Sequence, residues 1–595
     1  MPHVTPRELY DERHAARQRE AAALRRREVT ISIARVAMIL AAVGIGFVRL
    51  PLTLIPIAAF VVLAIVHERV IRARKRQERS AAFYEHGLAR IDGTWQGKGD
   101  AGDELAEDHH PYANDFDLFG RGSLFELISL AVTRAGRLRL AAWLKEPSLQ
   151  PDTIRARQDS VRELRENVEL REDVAIGAAE VVREVESAKL DEWASQPPVI
   201  ISTGDRVAAL VLPAIGVVVL SFTLPELWKR MMGEPAGFPL WPLIAISLAI
   251  GIATRRLHPR VEAIITGVER AEPALALLAG ILERLERETF RGDMLAALGT
   301  RIRGAHVEIE RLRRLVALLD ARRNQFFAPI ALLLMWTANV SFAIERWRAR
   351  HGAFILDWIE AVGDFEALSS LASFAFEHHA FAMPEIASAA PVFDARGLGH
   401  PLIPADRRVS NDLRLDDSLR LLIVSGSNMS GKSTMLRSTG IAAVLAMAGA
   451  PVCATSLTIS PMLVGASIRI HDSLQENASR FYAEILRIRQ VLEMSHQGSL
   501  LFLLDEVLAG TNSHDRRIGA EAIVRSLVTR GAIGLVSTHD LALAHIADEL
   551  APRAANVHFE DHIEDGRVVF DYRMRAGVVT KSNALELMRS VGIEV

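Results

Sequence analysis

The stretch IVSGSNMSGKSTMLRSTG, residues 423–440, decides the fold of the last third of this 595-residue chain. An apolar run leads into a loop of glycine and serine, and a helix-like segment follows the loop. The loop matches the pattern G-x-x-x-x-G-K-[ST], in which backbone N–H groups surround the phosphates of a nucleotide. A strand before such a loop and a helix after it predict an α/β domain built around nucleotide binding.

The side chains of this loop have separate predicted roles. The Lys432 ammonium neutralises charge on the β- and γ-phosphates, and the Ser433 hydroxyl binds Mg²⁺. The sequence therefore predicts ATP and Mg²⁺ as cofactors. The residues predicted to bind the nucleotide are Gly426, Ser427, Asn428, Met429, Ser430, Gly431, Lys432, Ser433 and Thr434.

Two later apolar runs end in residues that suit hydrolysis of the nucleotide. The run LLFLLDEV ends at Asp505, a predicted ligand of Mg²⁺, and Glu506, the predicted base that polarises the attacking water. The run GLVSTHD ends at His539, a candidate sensor of the γ-phosphate, with a structural histidine as the alternative. Lys432, Glu506 and His539 are thus the predicted catalytic residues. Short apolar runs that alternate with helical stretches predict a mostly parallel sheet.

The composition indicates several domains of unlike character, because 595 residues exceed what one core holds. Half of the residues are hydrophobic although 24% are charged, which fits charged soluble parts joined to strongly apolar segments. The formal net charge of -3 does not indicate a nucleic-acid binder, so any basic surface would be local. The single cysteine, Cys453, excludes an intrachain disulfide and favours a reducing compartment.

Four apolar stretches predict two transmembrane hairpins. They are residues 31–48, 50–66, 207–224 and 238–253. Arginines flank both outer ends of each pair, and the positive-inside rule places these ends in the cytoplasm. We expect Pro225 and Gly233 in the turn of the second hairpin. The prediction is a multi-pass protein of the cell (inner) membrane with a cytoplasmic ATPase domain, and a buried helical hairpin of a soluble domain is the alternative for each pair.

A fifth apolar stretch, residues 326–344, is predicted to be a buried helix of a helical domain. Thr337, Asn339 and Ser341 would interrupt a lipid-facing surface. An odd number of membrane crossings would also place the phosphate-binding loop on the opposite side of the membrane from the middle segment. Because ATP is cytosolic, an even number of crossings is expected.

Charged and polar residues outside the last third carry weaker signals. Residues 152–190 and 260–323 are rich in Arg and Glu at helical spacing, which is typical of long solvated helices. The stretch EDHHPYANDFD, residues 107–117, brings histidines close to aspartates. Because the spacing matches no known metal site, we interpret it as a turn before a helix.

The motifs of the last third resemble those of the MutS family of DNA mismatch-repair ATPases, whose ATPase domain is similar to that of ABC transporters. The family loop typically reads GPNMGGKST, and this chain reads GSNMSGKST. A G-T-x-x-x-D element follows the family's Mg²⁺-binding strand, and Gly510, Thr511 and Asp515 match it. FELISLAVTRAGRLRLAAWLKEP and DFEALSSLASFAFEHHAFAMPEI resemble the start and end of the family's helical core, so the resemblance covers roughly residues 115–592.

The resemblance implies composite nucleotide sites in a homodimer. The stretch ASIRIHDSLQENASRFYAEILRI is similar to the family element that carries a signature serine; Ser479, Phe481 and Glu484 match it, whereas Arg480 replaces the usual threonine. Ser479 is thereby implied to bind the nucleotide held by the partner subunit. Double-stranded DNA, mismatched or branched, is implied as a further partner.

The chain departs from the family where family members read mismatches. They carry an N-terminal domain with a Phe-x-Glu wedge, and the triplet Phe83-Tyr84-Glu85 fits that short pattern. It directly follows a predicted membrane helix, with too little chain around it for the platform that a wedge needs. We therefore interpret the triplet as coincidence, and membrane segments stand where the mismatch-reading domain is expected.

Together these features predict a multidomain protein with an N-terminal transmembrane helical hairpin, a long all-α core or lever region interrupted by a second transmembrane hairpin, and a C-terminal α/β P-loop ATPase domain of the ABC type. The predicted domains are a charged cytoplasmic arm (1–28), the first hairpin (29–68), the first part of the helical core (69–206), the second hairpin (207–256), the second part of the core (257–390) and the ATPase domain (391–595).

Two functions are compatible with this organisation. The first is a membrane-anchored, dimeric ATPase that binds mismatched or branched DNA in DNA repair. The alternative is an ATP-driven membrane-associated machine or tether that does not bind DNA, because one ATPase engine serves many tasks. An ABC transporter is disfavoured, since four short spans do not make a convincing transport pathway.

Overall fold

The N-terminal hairpin is the first element of the computed structural model. The model describes residues 5–47, 50–179, 192–235, 237–388, 390–427, 429–469, 480–539, 541–564 and 567–579. Helices α1 (Pro6–Gly46) and α2 (Leu54–Ile91) pack against each other along the hairpin. A capping box starts α1, because the Thr5 hydroxyl accepts a hydrogen bond from the Glu8 N–H while the Glu8 carboxylate accepts one from the Thr5 N–H. Both helices run without interruption across the predicted domain boundaries at residues 28 and 68.

The N-terminal end of α1 is packed against the protein core. Tyr10 is fully buried against Tyr84, and its hydroxyl donates to the Glu377 carboxylate at 3.3 Å. The same carboxylate accepts two hydrogen bonds from the buried Arg90 guanidinium, at 2.6 and 2.5 Å. Phe83 is buried beside them, so its side chain packs within the protein. The predicted arm is therefore a helical stalk fixed to the core.

Within the described residues, ten further helices form the rest of the helical part. They are α3 (Leu124–Ile128), α4 (Arg134–Lys145), α5 (Pro151–Glu166), α6 (Val168–Ala179), α7 (Thr203–Met231), α8 (Trp241–Glu286), α9 (Asp293–Arg301), α10 (Ala305–Asp320), α11 (Ala328–Leu333) and α12 (Trp336–Glu377). The long α12 is the central element, since it packs on α4, α5, α8 and α10 and ends directly before the α/β part.

Apolar side chains remain exposed on the two predicted hairpins. Within the described residues, three helices are long and apolar enough to cross a membrane, and these are α1, α2 and α7. The fourth predicted span, which lies in α8, is not among them, because Arg255 and Arg256 end its apolar stretch early. Pro225, expected in the turn, instead lies inside α7, whereas Gly233 lies in the turn after it.

The prediction for the fifth apolar stretch was wrong in its first half. Residues 326–344 do not form one buried helix, because a left-handed Met335 (φ 43°) separates α11 from α12. Phe326 is 92% exposed and Leu332 is 58% exposed. Burial resumes in α12, where Ile344 is fully buried.

In the residues that the structure describes, the C-terminal part contains ten strands and four helices, with layers on both sides of a sheet. Its elements are β1 (Glu385–Ile386), β2 (Phe393–Leu398), β3 (Asn411–Leu415), β4 (Leu421–Ser425), α13 (Lys432–Ala448), β5 (Ser456–Ile459), β6 (Leu463–Ser467), α14 (Arg480–Met494), β7 (Leu500–Asp505), α15 (Ser513–Thr529), β8 (Ile533–Thr538), α16 (Leu541–Glu549), β9 (Ala554–Glu564) and β10 (Arg567–Ala576). The main sheet has the order β10-β9-β4-β8-β7-β6, and its five strands from β9 to β6 pair in parallel. A smaller sheet has the order β1-β5-β2-β3. The predicted strands at residues 421, 500 and 533 thus belong to one parallel sheet.

Replacement of Glu377 by alanine should destabilise the helical core. The change leaves the buried Arg90 guanidinium without its carboxylate, and breaking a buried ion pair from one side costs about 3–5 kcal/mol. The midpoint of thermal unfolding in detergent, followed by circular dichroism, is expected to fall clearly.

Asp92→Ala is the matched control, because the Asp92 carboxylate pairs with Arg7 at 2.6 Å on the exposed side of the same hairpin. That pair should contribute less than about 1 kcal/mol. Equal midpoints for the two variants would contradict the structural role assigned to Glu377.

Candidate nucleotide-binding site

Three neighbouring strands of the main sheet end at the edge where the predicted site residues lie. Strand β4 is buried along its whole length, and its last residue, Ser425, pairs in register with Thr538 of β8. On the other side of β8, Asp505 of β7 pairs with Ser537. Because parallel strands end at the same edge of a sheet, the loops after β4, β7 and β8 meet there.

Two glycines allow the loop after β4 to fold tightly. Gly426 has φ 146°, and a Cβ atom there would lie 2.8 Å from the carbonyl oxygen of Phe559. Gly431 has φ 113° and immediately precedes α13. Both positions need a backbone conformation that other residues rarely adopt. Since α13 starts at Lys432, its N-terminal N–H groups face the loop, which suits phosphate binding.

The Lys432 side chain is buried at the centre of the loop. Its ammonium group donates to the carbonyl oxygens of Gly426 at 2.8 Å and Ser427 at 2.9 Å. An ammonium group has three donors, so one remains for a phosphate oxygen. Burial lowers the pKa of Lys432, while the nearby carboxylates of Glu506 and Asp505 oppose that shift. These carboxylates therefore lie close enough to share the site electrostatically with the lysine.

The two acidic residues after β7 are oriented by Ser537. The Ser537 hydroxyl donates to the Asp505 carboxylate, and it also accepts a hydrogen bond from the Glu506 N–H at 3.1 Å. Glu506 has φ 49°, an uncommon conformation for a residue other than glycine and one that tends to occur at functional sites. The Nδ1 atom of His539 lies 3.5 Å from a Glu506 carboxylate oxygen.

Most of the predicted site residues line a single cleft. Its lining residues are Ser427, Met429, Gly431, Lys432, Ser433, Thr434, Ile468, Glu484, Asp505, Glu506 and Ala509. Ser433 supplies a hydroxyl and Asp505 a carboxylate, and such oxygen donors suit Mg²⁺, which is usually bound by one or two carboxylates together with phosphate oxygens. The donor set therefore fits Mg²⁺. Asn428 and Ser479 lie outside the described residues.

Comparison with known proteins finds the same family in two separate regions. The family model for MutS domain V matches residues 422–594, and that for MutS domain III matches residues 107–188. The DNA mismatch repair protein MutS of Thermus caldophilus is 26% identical over 80% of this chain, and that of Chlorobium phaeovibrioides is 26% identical over 79%. The chain belongs to the MutS family.

The relatives are longer than this MutS-family chain. It spans 59% of the Thermus caldophilus protein and 57% of the Chlorobium phaeovibrioides protein. A third relative, Endonuclease MutS2 of Thermus thermophilus, is 34% identical over 33% of this chain and 25% of its own length.

Two residues of the MutS-family chain that we did not predict fix the loop after β7. The Glu484 carboxylate, matched above only as part of a motif, accepts a hydrogen bond from the Leu508 N–H at 2.5 Å. The Arg516 guanidinium donates to the carbonyl oxygens of Leu508 at 3.2 Å and Ala509 at 3.0 Å. The sequence signal for Arg516 is the G-T-x-x-x-D element, whose aspartate it directly follows, and that for Glu484 is the motif in which it was matched.

A clasp between the helical part and the α/β part was also missed. We define the clasp as residues 110–117, which lie in the region that resembles MutS domain III. The buried Asp115 carboxylate accepts hydrogen bonds from the N–H groups of Ile468 at 2.7 Å and Arg469 at 2.6 Å, directly after β6. Burial raises the pKa of Asp115, and these hydrogen bonds oppose the shift.

The clasp also holds the helix that follows the phosphate-binding loop. The Arg437 guanidinium of α13 donates to the Asp115 carbonyl oxygen and to the Asp117 carboxylate, both at 2.8 Å. Phe116 is fully buried and packs on Gly440 of α13, where a Cβ atom would overlap the ring. Among the described residues, no group of three or more His, Cys, Asp or Glu side chains is suited to a metal ion.

The variant Asp115→Ala should loosen the segment that begins at Ile468. It leaves two backbone N–H groups without their charged acceptor, and hydrogen bonds to charged groups contribute about 1.5–3 kcal/mol. Hydrogen–deuterium exchange is expected to accelerate in peptides that contain residues 468 and 469.

Asp108→Ala is the control, since Asp108 is exposed and only seven positions away. Unchanged exchange rates in Asp115→Ala would show that the clasp does not hold this segment.

Proposed function

We propose that this MutS-family chain is a membrane-anchored ATPase that hydrolyses ATP with Mg²⁺ and transmits the nucleotide state to its helical core. The observation that carries the proposal is the cleft at the carboxyl edge of the sheet, which combines Lys432, Asp505 and Glu506. A buried lysine, an acidic residue suited to bind Mg²⁺ and a second acidic residue together favour hydrolysis of ATP over binding of ATP alone.

Each residue of the cleft has a proposed role. Gly426 and Gly431 bring backbone N–H groups towards the phosphates, and Lys432 neutralises their charge. Ser433 and Asp505 would hold Mg²⁺, which would neutralise charge on the phosphate groups. Ser537 keeps the Asp505 carboxylate in one orientation.

Glu506 and His539 are proposed to act on the attacking water. The Glu506 side chain lines the cleft, and its carboxylate accepts a proton from that water. The Glu506 N–H forms two hydrogen bonds to Ser537, which hold the backbone in place. His539 lies beside this carboxylate and positions it through the contact of 3.5 Å. If His539 contacts the γ-phosphate, it would thus connect that phosphate directly to Glu506, the proposed base.

A homodimer completes the proposed site. The family resemblance implies that Ser479 of the partner subunit binds the nucleotide from the opposite side. Exposed apolar side chains flank the cleft, because Met429 of the loop is 82% exposed and Tyr482 of α14 is 54% exposed. Such residues close to an open charged cleft suit a surface that is covered in a dimer.

A continuous packed path supports coupling from the nucleotide to the hairpins. Helix α13 packs on α4 and α5, which in turn pack on α12. At the end of α12, Glu377 contacts Tyr10 of α1 and Arg90 of α2. A shift of the phosphate-binding loop can therefore reach the hairpin through close-packed elements, which move as units.

Membrane anchorage is proposed from the apolar surface of the hairpins. On α7, Leu210 is 66% exposed and Phe222 is 60% exposed, although both side chains are strongly apolar. Exposure of a continuous apolar surface to water is unfavourable, whereas its contact with lipid acyl chains is favourable. Trp228 and Trp241 lie exposed near the turn of the second hairpin, where tryptophan is typical of the membrane–water interface.

DNA is the first partner to test, because relatives named DNA mismatch repair proteins match most of the chain. The second candidate function, a membrane machine without DNA, is favoured by one observation. Arginines of the long helices pair with nearby acids, as in Arg287–Glu283 and Arg311–Glu308. Paired arginines are less available for phosphate contacts.

Glu506→Gln should abolish ATP turnover while ATP binding persists. The amide keeps the size of the side chain but does not accept a proton, and loss of a general base lowers kcat about 10²–10⁴-fold. Phosphate release and equilibrium binding of ATP by the detergent-solubilised chain measure the two properties.

The control is Glu521→Gln on α15, where the carboxylate bonds Arg525 at 2.9 Å outside the cleft. It should retain natural turnover. Full turnover in Glu506→Gln would exclude Glu506 as the base.

ATP turnover with homoduplex, mismatched and branched DNA at one fixed salt concentration separates the two candidate functions. A change caused by one DNA structure only, at equal length and charge, is expected if the chain handles DNA, because salt-dependent phosphate contacts alone would not discriminate. Turnover that is indifferent to all three DNAs would leave the membrane machine as the function.

A further inference from the structure

Residues 326–334, which we term the apolar corner, join α10 to α12 beside the second hairpin. The corner includes α11 and reads FFAPIALLL. From Asn324 to Ile344 the chain carries no charged residue. Phe326, Ile330 and Leu332 are 92%, 50% and 58% exposed, so one face of the corner is apolar and uncovered.

The corner is packed against the middle of the apolar part of α7. A Cβ atom on Gly216 would lie 2.9 Å from the Cδ1 atom of Leu333, so a larger residue there would force the leucine side chain to shift. Ile250 of α8 meets the same point at 3.5 Å. A short distance away, the Asn339 amide donates to the Ala209 carbonyl oxygen at 2.8 Å. Leu333 and Asn339 thus define the height of the corner along α7.

That height places the corner within the apolar layer of the hairpin. The apolar stretch of α7 begins at residue 207, and Gly216 lies nine residues further on, or about 14 Å at ~1.5 Å per residue. The hydrocarbon core of a bilayer is roughly 30 Å thick. Leu333 therefore lies near the depth of the bilayer centre if α7 spans the membrane.

Several backbone N–H groups of the corner are paired within the protein, as lipid requires. Hydrocarbon offers no hydrogen-bond partners, so N–H and C=O groups have to be paired within the protein. The N–H groups of Phe327 and Ala328 donate to the Asn324 carbonyl oxygen, and that of Ala331 donates to Phe327. The Leu334 N–H donates to Ile330 at 3.0 Å.

Aromatic contacts hold the corner in place at its aqueous end. Phe327 packs edge-on against Trp336, with ring centroids 5.3 Å apart, and the Trp336 indole N–H donates to the Leu318 carbonyl oxygen at 2.7 Å. Arg322 and Arg323 precede the corner and pair with Glu269. Cations at this position suit the level of lipid headgroups.

We propose that the apolar corner is a re-entrant lipid-contacting element, which enters the same membrane leaflet as the first half of α7 and returns through α12. This inference rests on the proposed membrane anchorage of the second hairpin. The occupant of its exposed face is the acyl region of lipid, because the face continues the exposed apolar surface of α7 at the same height. Since α12 leads from the corner to the ATPase domain, motion of α12 would change how the corner sits in the leaflet.

Site-directed spin labelling in liposomes of phosphatidylcholine and phosphatidylglycerol tests the proposal with the full chain. The chain suits this method, because its single cysteine, Cys453, is buried and burial raises the pKa of its thiol to about 11. A label at Leu332→Cys should be several times more accessible to dissolved oxygen, relative to a water-soluble nickel chelate, than a label at Phe354→Cys. Phe354 is the matched control, since it is 55% exposed on α12 and lies 15 residues beyond Asn339 on the aqueous side.

A label at Val218→Cys, 56% exposed on α7, reports the membrane anchorage itself. Lipid-like accessibility at Val218 with water-like accessibility at Leu332 overturns the inference and leaves the anchorage standing. Water-like accessibility at both positions overturns the anchorage and the inference together. Low accessibility to both reagents at Leu332, with spin–spin broadening, would mean that a second copy of the chain covers the corner, which also overturns it. ATP turnover of each variant in detergent serves as the folding control.

Discussion

The buried carboxylate of Asp115 is the interaction on which the relation between the two halves of the molecule depends. It accepts two backbone hydrogen bonds directly after β6. The Arg437 guanidinium donates to the backbone carbonyl oxygen of the same residue, which ties Asp115 to the helix that follows the phosphate-binding loop. An acceptor with so little water around it is stable only when its hydrogen bonds are made, so the clasp and the sheet edge have to keep a fixed geometry. The clasp therefore connects the backbone after β6 and the helix α13 to the helical core.

A second buried charge fixes the first apolar hairpin to the helical core. Glu377 ends α12 and contacts both helices of the first hairpin through Tyr10 and Arg90. The energetic cost of an unpaired buried charge disfavours separation of these elements, which makes the hairpin a continuation of the core. The apolar helices of the first hairpin are thus joined to α12 through a buried, paired charge.

The two apolar hairpins differ in how they meet the protein. The first is a long stalk whose apolar and charged parts belong to the same two helices, α1 and α2. The second has an additional neighbour, because Leu333 of the apolar corner lies against Gly216 of α7. A glycine at this point lets a third segment approach the helix closely, as small residues do between membrane helices. The second hairpin therefore carries structural features beyond those of a simple anchor.

The sequence alone determined the α/β character of the last third and the chemistry of its cleft. Local patterns sufficed there, because glycines, a lysine and strand-terminal acids at set spacings have few structural alternatives, and parallel strands bring their ends to one edge. The long apolar helices were also predictable, since span length is a local property.

Only the tertiary structure decided the roles of Asp115, Ser537 and Glu377, because each acts through partners distant in the sequence. Tertiary packing also decided the fate of residues 326–344. An apolar segment has the same composition whether protein covers it or leaves it exposed. Here the bend at Met335 and the contact at Gly216 determine which part of the segment is exposed.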